Sequence, residues 1–187
     1  IISEENNPDI YKAATDSEYY IGAVHENEVE NGKQLVQILL DKGDRNIGLI
    51  GWEQGDATWL GRWEGYKAGV DAWNEEHPDD QATLSEPQYA GTTSDGGSKA
   101  ADALMSADPD LDALIPAGGG GDPLQGAIAA VERAHKTDSI DLVSTDFLPD
   151  LGERLDNGSM AGESGGHYCD PLFAFMMVYN AIKGNSS

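Results

Sequence analysis

Short apolar runs alternate with longer stretches in which apolar residues recur every three or four positions, and the rhythm holds along the whole chain. Ile1-Ile2-Ser3 reads as the end of a strand, and Tyr19 to Val24 as a second short apolar run. Asn31 to Lys42 carries Leu35, Ile38 and Leu39 at helical spacing and stops at Gly43, a C-cap residue. Asn46 to Trp52 is nearly all apolar, as in a strand covered on both faces of a parallel sheet. The next stretch, about Thr58 to Glu76, sets Trp59, Trp63, Tyr66, Val70 and Trp73 on one helical stripe before Pro78.

The cycle then repeats. Strand-like Leu84 to Ala90 precedes a helix from about Ser94 to Ser106, and Ala113 to Ala117 one from about Pro123 to Ala134. Ile140 to Ser144 leads to a short helical turn near Pro149 to Leu155, and Ser159 to Ser164 to a helix from Pro171 to Ile182. Strands alternating with helix-length connections predict an α/β fold, a parallel sheet with helices on both faces in three αβα layers. Ligands of such sheets bind at the carboxyl ends of the strands, here the loops after Trp52, Ala117, Thr145 and Ser164. No internal repeat or low-complexity segment interrupts the pattern.

Charge narrows the partners. Thirty-four acids against eleven bases give a formal charge of −23 over 187 residues, a surface that repels phosphate backbones. Direct nucleic-acid binding by this piece is therefore not expected. The longest apolar stretch, Phe173 to Tyr179, is far shorter than the ~20 residues of a membrane-spanning helix, so no membrane insertion is expected. Cys169 is the single cysteine, which excludes an internal disulfide and a CxxC motif. Ile1-Ile2 reads as the middle of a strand, so the first residue is taken as a boundary cut into a longer chain, and the lack of a targeting segment says nothing.

Enzyme chemistry finds no foothold. His25, His77, His135 and His167 show no zinc spacing, and neither a GxSxG elbow nor a phosphate-binding P-loop is present. No metal and no cofactor is expected. Gly118 to Gly121 lies between a strand and a helix but lacks the offsets of a dinucleotide fingerprint. Its bare N–H groups would cradle a polar or anionic ligand group; a tight loop needing positive φ is the plainer reading. Among the tryptophans, Trp59, Trp63 and Trp73 fit a core stripe, whereas Trp52 ends a strand and is the candidate for stacking on a sugar face.

The unit Asn46 to Gly69, with its Arg62-Trp63-Glu64-Gly65-Tyr66, resembles the strand, polar loop and Arg-x-x-Gly-aromatic motif of the periplasmic sugar-binding and lac-repressor-like family. The resemblance implies that Arg62 points into a cleft and donates to ligand oxygens, a role that suits a planar fork of donors. Arg62 simply paired with a surface acid is the alternative. Three more segments follow in the family's order. Tyr20 to Gly32 resembles the first lobe-to-lobe crossing, with Asn27-Glu28 where Asp-Asn is common. Leu142-Val143-Ser144-Thr145-Asp146 resembles a strand ending in an aspartate that accepts from ligand hydroxyls, so Asp146 is the second site residue; an Asx-turn or cap is its alternative. Leu155 to Gly184 resembles the return across the hinge, with His167 near a usual glutamine. His25 and His167 lie close to the two crossings and either both face the ligand or are plain hinge residues. Glu4 matches an acidic first-lobe contact.

One departure stands out. Where the family has Asn-Asp before the helix after its middle strand, this chain has Gly120-Gly121 with Asp122 one place later, to replace the contact or to cap the helix. The resemblance divides the chain into a first-lobe remnant (1–25), a complete second, ligand-binding lobe (26–165) and a first-lobe return segment (166–187). It implies capture of a small polar, sugar-like solute between two hinged lobes, as the substrate-binding component of an ABC importer with a membrane permease as partner. That role is extracytoplasmic. The alternative is the effector-sensing core of a cytoplasmic transcriptional regulator, and an α/β enzyme is a third class.

Overall fold

The computed structural model describes residues 2–3, 8–118, 122–145, 148–165 and 169–184, with the backbone alone for 2–3, 8–11 and 122. The chain divides into two compact units, one of residues 1–27 with 166–187, the other of residues 28–165.

In the larger unit the near-continuous apolar run becomes the central strand β3 (Asn46–Gly51), numbered after two strands of the smaller unit. Its side chains alternate between two separate cores. Ile47 and Leu49 join Leu35, Leu39, Trp59, Tyr66 and Val143 on one face, while Ile50 joins Leu104, Leu114, Ile128 and Leu142 on the other. A strand buried on both sides has no polar face to show, hence its unbroken hydrophobicity. The first core is closed by α2 (Glu28–Lys42) and α3 (Ala57–Glu76), the second by α4 (Ser94–Ala107) and α5 (Asp122–Arg133). Helices on both faces of an entirely parallel sheet are what the alternation predicts.

Beside β3 run β6 (Ala113–Pro116), β7 (Asp141–Thr145) and β8 (Gly162–Ser164), in the order β3-β6-β7-β8, with α6 (Leu151–Asn157) between the last two. On the far side of β3 the expected strand Leu84 to Ala90 is two short ones, β4 (Thr83–Leu84) and β5 (Gln88–Tyr89). Pro87 between them has no N–H to give the ladder. Ser85 adds a tie of another kind, its Oγ accepting the Leu49 N–H at 2.9 Å. At the other end of β3, both carboxylate oxygens of Asp112 accept N–H groups, from Arg45 and Asn46 at 2.8 Å each, and tie the loop before β3 to the loop before β6.

Helix boundaries follow their caps. α3 starts after Asp56, whose Oδ1 accepts the Trp59 N–H at 2.8 Å, and α4 after Thr93, whose Oγ1 accepts from Gly96 at 3.1 Å. α2 begins three residues before the expected Asn31, and Glu28 and Glu30 in its first turn face the positive end of the helix dipole.

The smaller unit pairs β1 (Ile2–Ser3) with β2 (Ala23–Val24) in parallel, with α7 (Asp170–Lys183) packed on both and α1 (Pro8–Thr15) between the strands in sequence. Helix α1 escapes the apolar rhythm. Of the expected run Tyr19 to Val24 only the last two residues are strand, and Tyr19 and Ile21 are exposed.

Candidate functional site

The carboxyl edge of the larger unit's sheet gathers Trp52 after β3, Gly118 just past β6, Thr145 closing β7 and Ser164 closing β8. The first turn of α2 and the first two turns of α3 reach the same edge, and they bring the charge.

Arg62 lies in the second turn of α3 and is buried. Its Nε donates to Glu28 Oε2 at 2.6 Å and one terminal nitrogen to Glu28 Oε1 at 3.4 Å. The other terminal nitrogen donates to Thr145 Oγ1 at 2.6 Å. The guanidinium carbon stands 5.1 Å from the centre of the Trp52 ring. One cation thus joins α2, α3, β7 and the loop after β3. A buried guanidinium needs a compensating anion, since breaking such a pair by removing one partner costs about 3–5 kcal/mol. Glu28 supplies it.

The Arg-x-x-Gly spacing explains how Glu28 comes within reach. Arg62 and Gly65 share a face of α3. A Cβ on Gly65 would collide with the Val29 carbonyl, and one on Gly32 with the Arg62 carbonyl. Two bare glycine backbones therefore let α2 and α3 cross in contact, and the first turn of α2 lands on Arg62.

Gly118 has a different reason. A Cβ there would run into the backbone and hydroxyl of Thr145, so β6 and β7 leave the sheet touching. Ser144 seals the same join, its Oγ donating to the Pro116 carbonyl at 3.0 Å. Close approach, not positive φ, is what Gly118 provides. On α2, one turn past Glu28, Asn31 is buried with neither amide atom paired among the described residues. Ser164 Oγ donates to Gln34 Oε1 at 3.0 Å one turn further on.

Arg62 and Trp52, two of the residues singled out from sequence, meet here, while Glu28, Thr145 and Asn31 were not singled out. Glu28 did leave a trace, as the second member of the Asn27-Glu28 departure. The Arg62–Glu28 contact is an arginine–acid pair, as in the simpler expectation, but it is not a pair at the surface, since Arg62 is buried. Asp122 is the first residue of α5, with its side chain outside the described residues. Glu4, Asp146 and His167 lie outside them altogether, as do Gly119, Gly120 and Gly121. His25 is exposed in the smaller unit, its Nδ1 3.2 Å from the Glu26 carbonyl. Trp59 and Tyr66 are core, edge to face at 5.9 Å, and Trp63 and Trp73 pack against the same cluster. Among the described residues no group of three or more His, Cys, Asp and Glu could hold a metal ion, and no helix is long and apolar enough to cross a membrane.

No family model and no curated protein matches the sequence. The structure does have relatives in shape. A glucose-galactose binding protein from Geobacillus stearothermophilus superposes with a TM-score of 0.74 at 18% identity, over 90% of this chain and 59% of that one. The periplasmic binding protein component of an arabinose ABC transporter from Shewanella sp. ANA-3, bound to L-arabinofuranose, gives 0.70 at 21% identity, over 90% and 55%. An ABC transporter solute-binding protein from Agrobacterium vitis with bound D-fucose gives 0.72 at 16% identity, over 97% and 59%. The chain spans between 55% and 59% of the length of these three. It has the fold of periplasmic sugar-binding proteins.

Proposed function

We propose that the chain captures a small polar, sugar-like solute at the carboxyl edge of the larger unit's sheet, as the binding component of an ABC importer, with a membrane permease as partner and an extracytoplasmic place of work. The observation that carries this reading is the buried Arg62, held by Glu28, Thr145 and Trp52 at the edge where ligands of parallel sheets bind. Fixed polar groups beside an indole ring suit a ring of hydroxyls above an apolar sugar face. Asn31 adds a buried amide whose two polar atoms have no partner among the described residues. Residues 28–165 then form the ligand-binding lobe, and residues 1–27 with 166–187 belong to its companion.

In this role Arg62 and Trp52 belong to the solute-binding wall, and Asp122, Asp146, His25, His167 and Glu4 are the further ligand-binding residues of the proposal. No covalent step is involved, so the protein is a binder and not an enzyme. A thermal-shift screen of neutral pentoses, hexoses and polyols tests it. At a ligand concentration of ~100 Kd the folded state gains about 2.7 kcal/mol, which raises the melting temperature by several degrees. Arg62→Ala should abolish that rise. A folded wild type indifferent to the whole panel contradicts the proposal.

A further inference from the structure

We propose that Glu28 is a selectivity residue, which neutralises Arg62 and turns this wall against anionic solutes such as sugar acids and sugar phosphates. The inference rests on the solute-binding reading above and names its substrate class: uncharged hydroxyl-rich solutes, and amino-bearing ones, which can donate to a carboxylate. An arginine at a binding edge, read alone, suggests a clamp for carboxylate or phosphate, because its fork of N–H groups matches two oxygens. Here that fork already faces a carboxylate. Glu28 Oε2 and Oε1 meet Nε and a terminal nitrogen on one side of the guanidinium, and Thr145 Oγ1 meets the other.

The two members of the pair are unequally open to solvent. The Arg62 side chain is 5% exposed and that of Glu28 20%. What this wall offers an incoming solute is therefore more acceptor than donor. An anion would have to displace Glu28 or sit beside it, and like charges placed together cost several kcal/mol at a binding surface. The formal charge of −23 works in the same direction at longer range, within a Debye length of about 8 Å at physiological salt. Glu28 acts at contact, where salt screens poorly.

The test replaces the carboxylate and supplies anions. Wild type, Glu28→Gln and Glu28→Ala are compared in thermal-shift titrations with sodium sulfate and sodium D-galacturonate, against sodium chloride of equal ionic strength. Wild type should show no shift beyond the chloride control with galacturonate, and with sulfate only the unsaturable stabilisation that a kosmotropic anion gives any fold. The two variants should rise by about 3–6 °C at about tenfold the dissociation constant of their new anion site. Adding Arg62→Gln to either should remove the rise. Folded variants that ignore both anions overturn the proposal, and so does a wild type that gains a saturable shift with galacturonate, which can be read even should both variants fail to fold. The anion titrations need no natural solute, so they judge Glu28 separately from the sugar panel. If neutral sugars bind nowhere while the variants gain anions, the solute reading falls and Glu28 keeps its role.

Discussion

Asp44 stands just beyond the last turn of α2, half-buried at the opposite end of the sheet from Arg62. Burial first, then the charges of Asp141 and Asp112, push its carboxyl from 3.8 up to about 7, against the opposing pull of Lys42. The sign follows from linkage. The folded chain holds this proton more tightly than the unfolded chain, so the contribution of Asp44 to stability falls as pH rises from about 4 to about 7. Urea denaturation at pH 5 and pH 8 should show part of that loss in wild type, and less of it in Asp44→Asn. An unchanged pH dependence in the variant counts against the shift. Arg62 predicts the reverse kind of sensitivity. Arg62→Leu removes the cation but strands the Glu28 carboxylate, so the single variant should lose stability, though less than the ~3–5 kcal/mol of a fully buried pair, because Glu28 is partly open to solvent. The double variant with Glu28→Leu should recover most of that loss, and a double-mutant cycle in denaturant reads the coupling.

Helices α2 and α3 meet through glycine, and there the fold makes the site. Gly65→Ala would drive a methyl group into the Val29 carbonyl and push the helices apart. A loss of about 1–3 kcal/mol is expected, with weakened solute binding because the Glu28–Arg62 contact opens. Trp59→Ala, buried in the same core, should cost about 3–5 kcal/mol without changing the affinity of the molecules that remain folded. Comparing the two separates packing from positioning. The pattern of elements was legible in the sequence wherever burial enforced it. β3 declared itself through the unbroken Asn46 to Trp52 run, and α3 through a stripe that Trp59, Tyr66 and Val70 do bury. Less was legible where local chemistry outweighs the pattern. Pro87 and Ser85 split the expected strand Leu84 to Ala90 into β4 and β5, and α1, at eight residues, is too short for its apolar spacing to repeat. At the site, Trp52 could be picked out as an aromatic residue at a strand end, and Arg62 through the resemblance of its Arg-x-x-Gly-aromatic motif. Glu28 could not, because its importance comes from the crossing of two helices at Gly32 and Gly65, a long-range event that no local spacing records.

At the scale of the molecule, the two units differ in how they are built. Residues 28–165 contain both hydrophobic clusters and the whole six-stranded sheet. Limited proteolysis should accordingly leave a resistant core near those bounds, identified by mass. The smaller unit carries α7, whose Leu172, Phe173, Phe175, Met176, Tyr179 and Ile182 are exposed. So much apolar surface on one helix should bind a hydrophobic dye, and Leu172→Ser with Phe175→Ser should lower that fluorescence. The central claim concerns the larger unit's binding edge. Isothermal titration of the wild-type protein with neutral pentoses and hexoses, beside Arg62→Ala, tests it most directly. The account predicts saturable, one-site heat from at least one sugar in wild type and its loss in the variant. Sugar binding that survives Arg62→Ala undiminished, or no heat from any sugar with folded wild type, would contradict it.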